Sequence, residues 1–217
     1  MHHWPVFHLT LTTPDLVLRL PDNRELDALA QVAAEGVHPP NIKCFPQPWA
    51  SGTPEDVARN VVQNHWWARG DWTVSNWRLL LAVFLDGKVI GQQNLSARHF
   101  SVTREARTGF WLGERYQRCG YGTQMRQAAL HLAFGCLRAE RVTTTAFTDN
   151  IASRKVSAKL GYQPNGARRQ NVEGRLVQIH ETVLDTRTWR AQPKPAIQVH
   201  GFDTCAHMFG AGACLLP

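Results

Sequence analysis

The residues from Trp111 to Thr123 read Trp-Leu-Gly-Glu-Arg-Tyr-Gln-Arg-Cys-Gly-Tyr-Gly-Thr and join an apolar stretch to a segment of helical periodicity. A loop that opens a helix leaves backbone N–H groups unpaired and aimed at one point, at the positive end of the helix dipole. That is chemistry for an anion, and a pyrophosphate fits it. Gly120 and Gly122 let the backbone approach phosphate oxygens, and Arg118 adds a charge. Neither Gly-x-x-x-x-Gly-Lys-Ser/Thr nor Gly-x-Gly-x-x-Gly occurs, so nucleoside triphosphatase and dinucleotide chemistry are not favoured. Cys119 lies in the same loop, beside a helix N-terminus, although the backbone is the working part of such a loop. A second pattern, Asn150-Ile151-Ala152-Ser153, read by itself is a helix cap followed by an exposed serine.

These segments need elements to hold them. Leu16, Leu18 and Leu20 alternate as in a strand, and Asp22 with Glu25 forms a capping box that opens a first helix, roughly 24–34. Residues 36–50, with His38, Pro39, Pro40, Pro46, Pro48 and Trp49, form a shaped loop. Thr53-Pro54-Glu55-Asp56 opens a second helix through about Trp67. Strands over 77–84 and 88–95 meet at Asp86-Gly87, a type I′ hairpin signal. A strand over 108–112 precedes the glycine loop, and Met125, Ala128, Ala129, Leu132, Ala133 and Cys136 mark a long amphipathic helix after it. A strand over 142–147, a short helix capped by Asp149-Asn150 and ending at Gly161, and a hairpin of 168–172 with 176–184 close the order. Strands alternating with helices, with antiparallel hairpins in the middle and at the end, make a mixed α/β sheet of six or seven strands.

Composition narrows the classes. With 217 residues, 43% hydrophobic and 19% charged, the chain is one domain or a domain with a tail, not a disordered or collagenous protein. No apolar run spans a bilayer, and Met1-His2-His3-Trp4-Pro5 has no export signal, so a cytoplasmic protein is expected. Five scattered cysteines, Cys44, Cys119, Cys136, Cys205 and Cys214, argue for reduced thiols, and ten histidines without metal-ligand spacing argue against a catalytic metal. The net charge of +7 favours an anionic ligand, but no basic run or RNA motif points to nucleic acid. Trp66, Trp67, Trp72 and Trp77 are read as core or subunit interface rather than a base-stacking platform, and with the apolar tail they make a homo-oligomer the expectation.

Gln117-Arg118-Cys119-Gly120-Tyr121-Gly122 resembles the Gln/Arg-x-x-Gly-x-Gly/Ala signature of the GNAT acyl-CoA N-acyltransferases. Thr108-Gly109-Phe110-Trp111-Leu112-Gly113 resembles the strand before it in that family's RimJ/RimL-like branch, and Asn150 to Tyr162 resembles the branch's Asn-x-x-Ser … Leu-Gly-Phe/Tyr motif. The resemblance spans roughly residues 9–189, and His200-Gly201-Phe202-Asp203 is similar to the tail of mycobacterial relatives associated with succinyl-CoA. It implies a GNAT-like, mostly antiparallel sheet with a central splay, flanked by helices. It also implies a transferase domain over 1–190, and because Ile197, Val199 and Phe202 would be wasted in solvent, the C-terminal extension over 191–217 is expected to pack on the domain or on a neighbouring subunit.

The resemblance further implies transfer of an acetyl or succinyl group from acyl-CoA to a primary amine, with no covalent intermediate and no metal. The acceptor is a protein N-terminus, a lysine or a small amine. An acyl-CoA-binding module or sensor with little turnover is the alternative. Backbone groups of Trp111 and Leu112 would pair with the pantetheine arm. Gln117, Arg118, Cys119, Gly120, Tyr121, Gly122 and Thr123 would take the pyrophosphate, Asn150 would bind the cofactor arm, and Ser153 would be the general acid for the departing thiolate. The family often places a carboxylate two residues before the glycine matching Gly109, where this chain has Arg107. Glu105 on the same strand face is then a candidate base, with His38, His99, Glu35 and water as alternatives. Arg107 attracts an acidic acyl group or is an exposed strand charge. His38, Phe45, Trp49 and Arg107 are the candidate acceptor-site residues.

Overall fold

The computed structural model describes residues 2–38, 48–172 and 174–211. Phe45, Cys44 and Cys214 lie outside the described residues. The described residues form one nine-stranded sheet. Strands β1 (Thr10–Thr12) and β2 (Leu16–Arg19) lead into helix α1 (Asn23–Ala34). The Asp22 carboxylate accepts from the Glu25 N–H and Glu25 reaches back, the capping box read from the sequence. Helix α2 (Pro54–Gly70) opens on the same device, with Thr53 and Asp56 as the reciprocal pair. Strands β3 (Asn76–Leu85) and β4 (Lys88–Arg98) meet at Asp86 and Gly87, whose φ values of 49° and 76° are those of a type I′ turn.

After a short helix α3 (Phe100–Thr103) come β5 (Glu105–Leu112), α4 (Tyr121–His131) continued by a π turn over Leu132–Cys136, β6 (Arg141–Phe147) and α5 (Ile151–Lys159). The hairpin of β7 (Gln163–Val172) and β8 (Arg175–Asp185), helix α6 (Thr186–Ala191), strand β9 (Gln198–His200) and helix α7 (Phe202–Cys205) follow. The strand order is β7-β8-β6-β5-β4-β3-β2-β1-β9, and every pair is antiparallel except β5 with β6. The expected six or seven strands thus become nine. The additions are β1 and β9, which pair with each other through Thr10↔His200 to Thr12↔Gln198 and are each three residues long, too short to display alternation in sequence.

Two buried layers flank the sheet. On one face α1 and α2 pack Leu26, Leu29, Val57 and Val61 against Ala82, Phe84 and Trp111. On the other, α4 packs Met125 and Ala128 in a larger cluster that includes Leu79, Leu81 and Leu95. Residues of the tail complete it. Phe209 is fully buried 5.0 Å from the Trp77 ring, its carbonyl accepts the Trp77 indole N–H at 3.1 Å, and the Met208 carbonyl accepts that of Trp72. The tryptophan group therefore divides. Trp72 and Trp77 belong to the core, whereas Trp66 and Trp67 are 58% and 60% exposed on α2.

Candidate active site

The strands that carry the candidate residues separate where the sequence changes function. Pairing of β5 with β6 runs from Glu105↔Arg141 to Arg107↔Thr143 and stops, while β5 keeps β4 as far as Gly91↔Leu112. Among the described residues, β5 from Thr108 onward pairs with a strand on one side only, which is the central splay. Side chains hold its apex: the Thr144 hydroxyl donates to the Thr108 carbonyl at 2.9 Å, in the place where a ladder bond would otherwise form.

The Gly113 N–H donates to the Ile90 carbonyl. By the alternation of an antiparallel ladder, Trp111 and Gly109 also direct their backbone groups to β4, and Phe110 and Leu112 direct theirs into the gap. This corrects the expectation for Trp111. Its backbone faces β4, and its indole is buried toward α1 and α2, 5.6 Å from the ring of Trp49. Leu112 directs its backbone groups into the gap, and so does Phe110, which is not among the expected residues.

Helices α4 and α5 both begin at the open end of the gap, because each follows a strand that runs toward it. The loop before α4 is shaped by two left-handed residues, Arg118 at φ 63° and Gly120 at φ 88°. Such alternation turns successive N–H groups to one side. Arg118, Cys119 and Gly120 are exposed, Tyr121, Gly122 and Thr123 half-buried, and no atom lies within 4 Å of where a Gly120 side chain would begin. Gln117 has a different task from the one expected. Its amide donates to the Val37 carbonyl at 2.8 Å and the Leu112 carbonyl at 2.9 Å, which ties the loop to both walls. The Cys119 thiol donates to the Gln117 carbonyl.

On α5, Asn150 is the N-cap and its side-chain oxygen accepts the Ser153 N–H at 3.1 Å. Ser153 is half-buried, and its carbonyl accepts the Ser157 hydroxyl at 3.0 Å. Beneath them is a residue absent from the expectations. Arg126 of α4 is fully buried, donates to Ser157 Oγ and Thr108 Oγ1 at 3.2 Å each, and stacks its guanidinium between the rings of Phe110 and Tyr162. The Tyr162 hydroxyl in turn lies 3.2 Å from Thr108 Oγ1. Burial pushes the Arg126 guanidinium pKa down, and Tyr162 partly opposes this.

On the α1 and α2 side, the proposed base and acceptor residues are spread out. Strand β5 does extend to Glu105, which puts it on the face of Arg107. It sits at the closed end, however, roughly 13 Å of strand before Gly109, with its carboxylate 3.8 Å from Arg141. Arg107 is exposed and donates to Thr145 Oγ1 at 3.1 Å. Glu35 pairs with Arg115 at 2.9 Å beside the loop, His99 is exposed at the closed end of β4, and His38 is half-buried after α1. A polar chain crosses this face: His65 Nε2 is 2.7 Å from Gln92 Oε1, and the Gln92 amide donates to Asn94 Oδ1 at 2.6 Å. Asn94 lies directly opposite Gly109, so its remaining amide N–H group stands over that glycine. Burial of His65 pushes its pKa down to about 4, so this imidazole is neutral near pH 7. The histidine is α2's inward residue among apolar neighbours, a position the sequence signals only through helical period.

Among the described residues no group of three His, Cys, Asp or Glu is placed to hold a metal, and no helix is long and apolar enough to cross a membrane. Among solved structures, the chain is similar to a GNAT-family acetyltransferase from Bacillus anthracis, with 17% identity and a TM-score of 0.64 over 82% of this chain and 99% of that one. It is also similar to RimL, a ribosomal L7/L12 alpha-N-protein acetyltransferase in complex with coenzyme A, with 18% identity and a TM-score of 0.61 over 81% and 97%. A third is the Salmonella typhimurium acetyltransferase that modifies the N-terminal serine of L7/L12, with 19% identity and a TM-score of 0.62 over 80% and 96%. At these identities the likeness is one of fold. The sequence profile of the Acetyltransferase (GNAT) domain matches residues 15–163, more than half of the chain, and the protein belongs to the GNAT acetyltransferase family.

Proposed function

We propose that the protein transfers an acetyl or succinyl group from acyl-CoA to a primary amine by direct attack in a ternary complex. The observation that carries this is the gap opening at Thr108, edged by Phe110 and Leu112 and flanked at its open end by the loop into α4. An extended pantetheine arm would add to β5 as a strand does, with its pyrophosphate on the N–H groups of residues 118–123. The amine nitrogen attacks the thioester carbon, a backbone N–H in the gap stabilises the oxyanion, and the C–S bond breaks. Sulfur leaves with the electron pair and takes the proton of Ser153, which α5 presents one turn nearer the mouth than Ser157. The amine must shed a proton of pKa about 8 to 10.4. Glu105 would need water to reach it from the closed end, so water at the mouth serves as first acceptor.

Two neighbours named for the N-terminus of a ribosomal protein favour a protein amine as acceptor over a small molecule, and the half-buried Trp49 and His38 are the residues proposed to meet it. Arg107, a cation where the family carries an acid, favours a donor with a carboxylate, and thus succinyl-CoA. We place the activity in the cytoplasm. Release of CoA thiol from acetyl-CoA and succinyl-CoA over a panel of peptides and small amines tests the reading. Amine-dependent release supports it, and Arg107→Ala should narrow any preference for succinyl-CoA. Tight acyl-CoA binding with no release for any amine would instead identify an acyl-CoA sensor.

A further inference from the structure

Arg126 is a cation placed where proteins seldom leave one alone. It is fully buried, and among the described residues its Nε has no hydrogen-bond partner and no carboxylate pairs with it. The groups that touch it are Thr108 and Phe110 from β5, Ser157 from α5 and Tyr162 beyond α5, and Tyr162 is the titratable one among them. Ser157 and Tyr162 also line a cavity between α5 and the β7–β8 hairpin, where Arg154, Lys155, His180 and Glu181 are the other charged or titratable groups. Two hydroxyls and two ring faces offset part of the desolvation of a guanidinium, but a buried charge without a counter-ion remains costly. A burden of that kind is retained where a negative charge arrives during function.

The place of arrival is defined by the same contacts. Thr108 is the first residue past the last β5–β6 pair, so Arg126 Nη2 is bonded to the apex of the gap, and Phe110, whose ring lies over its guanidinium, edges that gap. We infer that Arg126 is a positioning residue whose buried charge stabilises the coenzyme A thiolate as it departs, acting from behind Thr108, Phe110 and Ser157 rather than by contact. This rests on the acyl-transfer reading. When the C–S bond breaks, sulfur carries the electron pair and the nitrogen keeps the acyl carbon. Arg126 favours the charged sulfur before the proton arrives and lowers the affinity of that sulfur for it. A unit charge about 7 Å away in an effective dielectric of about 20 shifts a pKa by roughly one to two units.

The test titrates the thiol of CoA bound to the protein, by ultraviolet thiolate absorbance, with calorimetry of CoA binding alongside. Wild type should hold the bound thiol roughly one unit or more below free CoA. Arg126→Met should return it to the free value while CoA binding stays within a few-fold, and Arg126→Lys should recover part of the shift. A bound-thiol pKa equal to that of free CoA in wild type, or unchanged in folded Arg126→Met, overturns the inference, and the wild-type arm decides if the variant fails to fold. No CoA binding by wild type overturns the acyl-transfer reading itself, and the inference with it.

Discussion

Lowering the pH to about 4.5 probes the polar chain on the α2 side of the sheet, because His65 is folded in its neutral form. Its imidazole is 1% exposed, and burial holds its pKa at about 4 against 6.5 for an exposed histidine, with the Gln92 hydrogen bond offsetting only part of the desolvation. The native state thus binds its proton less readily than the unfolded chain. Stability from this group is complete above about pH 6.5, falls as the pH drops through the interval, and is lost below about 4. With those two values the loss at pH 4.5 is about 2.5 kcal/mol relative to pH 7. Urea unfolding followed by tryptophan fluorescence should show wild type losing about that much more than His65→Gln between the two pH values, since glutamine keeps a polar partner for Gln92 but does not titrate. Carboxylates held low by their caps, such as Asp56 and Asp185, titrate alike in both proteins and cancel. Equal losses in the two proteins would refute the neutral burial of His65.

Gly120→Asp should abolish CoA binding while lowering stability by only about 1–2 kcal/mol, the cost of a side chain at a positive φ; calorimetry with a thermal melt separates the two effects. Ser153→Ala should reduce turnover by roughly 100-fold and leave CoA affinity within about twofold; steady-state rates set beside calorimetry check it, and a change in neither removes the serine from the mechanism. Phe209→Ala should cost about 3–5 kcal/mol in urea unfolding if the tail is integral to the domain. A loss under about 1 kcal/mol would mean the extension packs independently of the core.

Local chemistry was legible where it is written in adjacent residues. The capping box at Asp22, the helix start at Thr53-Pro54, the Asp86-Gly87 turn and the glycine loop before α4 each depend on a few neighbouring side chains, and all formed where the spacing placed them. Pairings across long separations were not. Nothing in Thr10–Thr12 announces that Gln198–His200 will add beside it. The site divided in the same way: the resemblance directed attention to Gln117 as a ligand, whereas its amide is spent on Val37 and Leu112, contacts that exist only once the loop is folded. Arg126 sits in a helical stripe among Met125, Ala128 and Ala129 and reads as a polar interruption until the structure puts Thr108, Ser157 and Tyr162 around it.

Calorimetric titration of the purified protein with CoA, acetyl-CoA and succinyl-CoA in parallel tests the central claim most directly. Binding of all three, with succinyl-CoA at least as tight as acetyl-CoA, is the result the proposed reading predicts, since on that reading the gap and the loop would hold what the three share and Arg107 would meet what only succinyl-CoA adds. Heat from none of them would contradict the account, because the gap and loop proposed to take pantetheine and pyrophosphate would then hold neither.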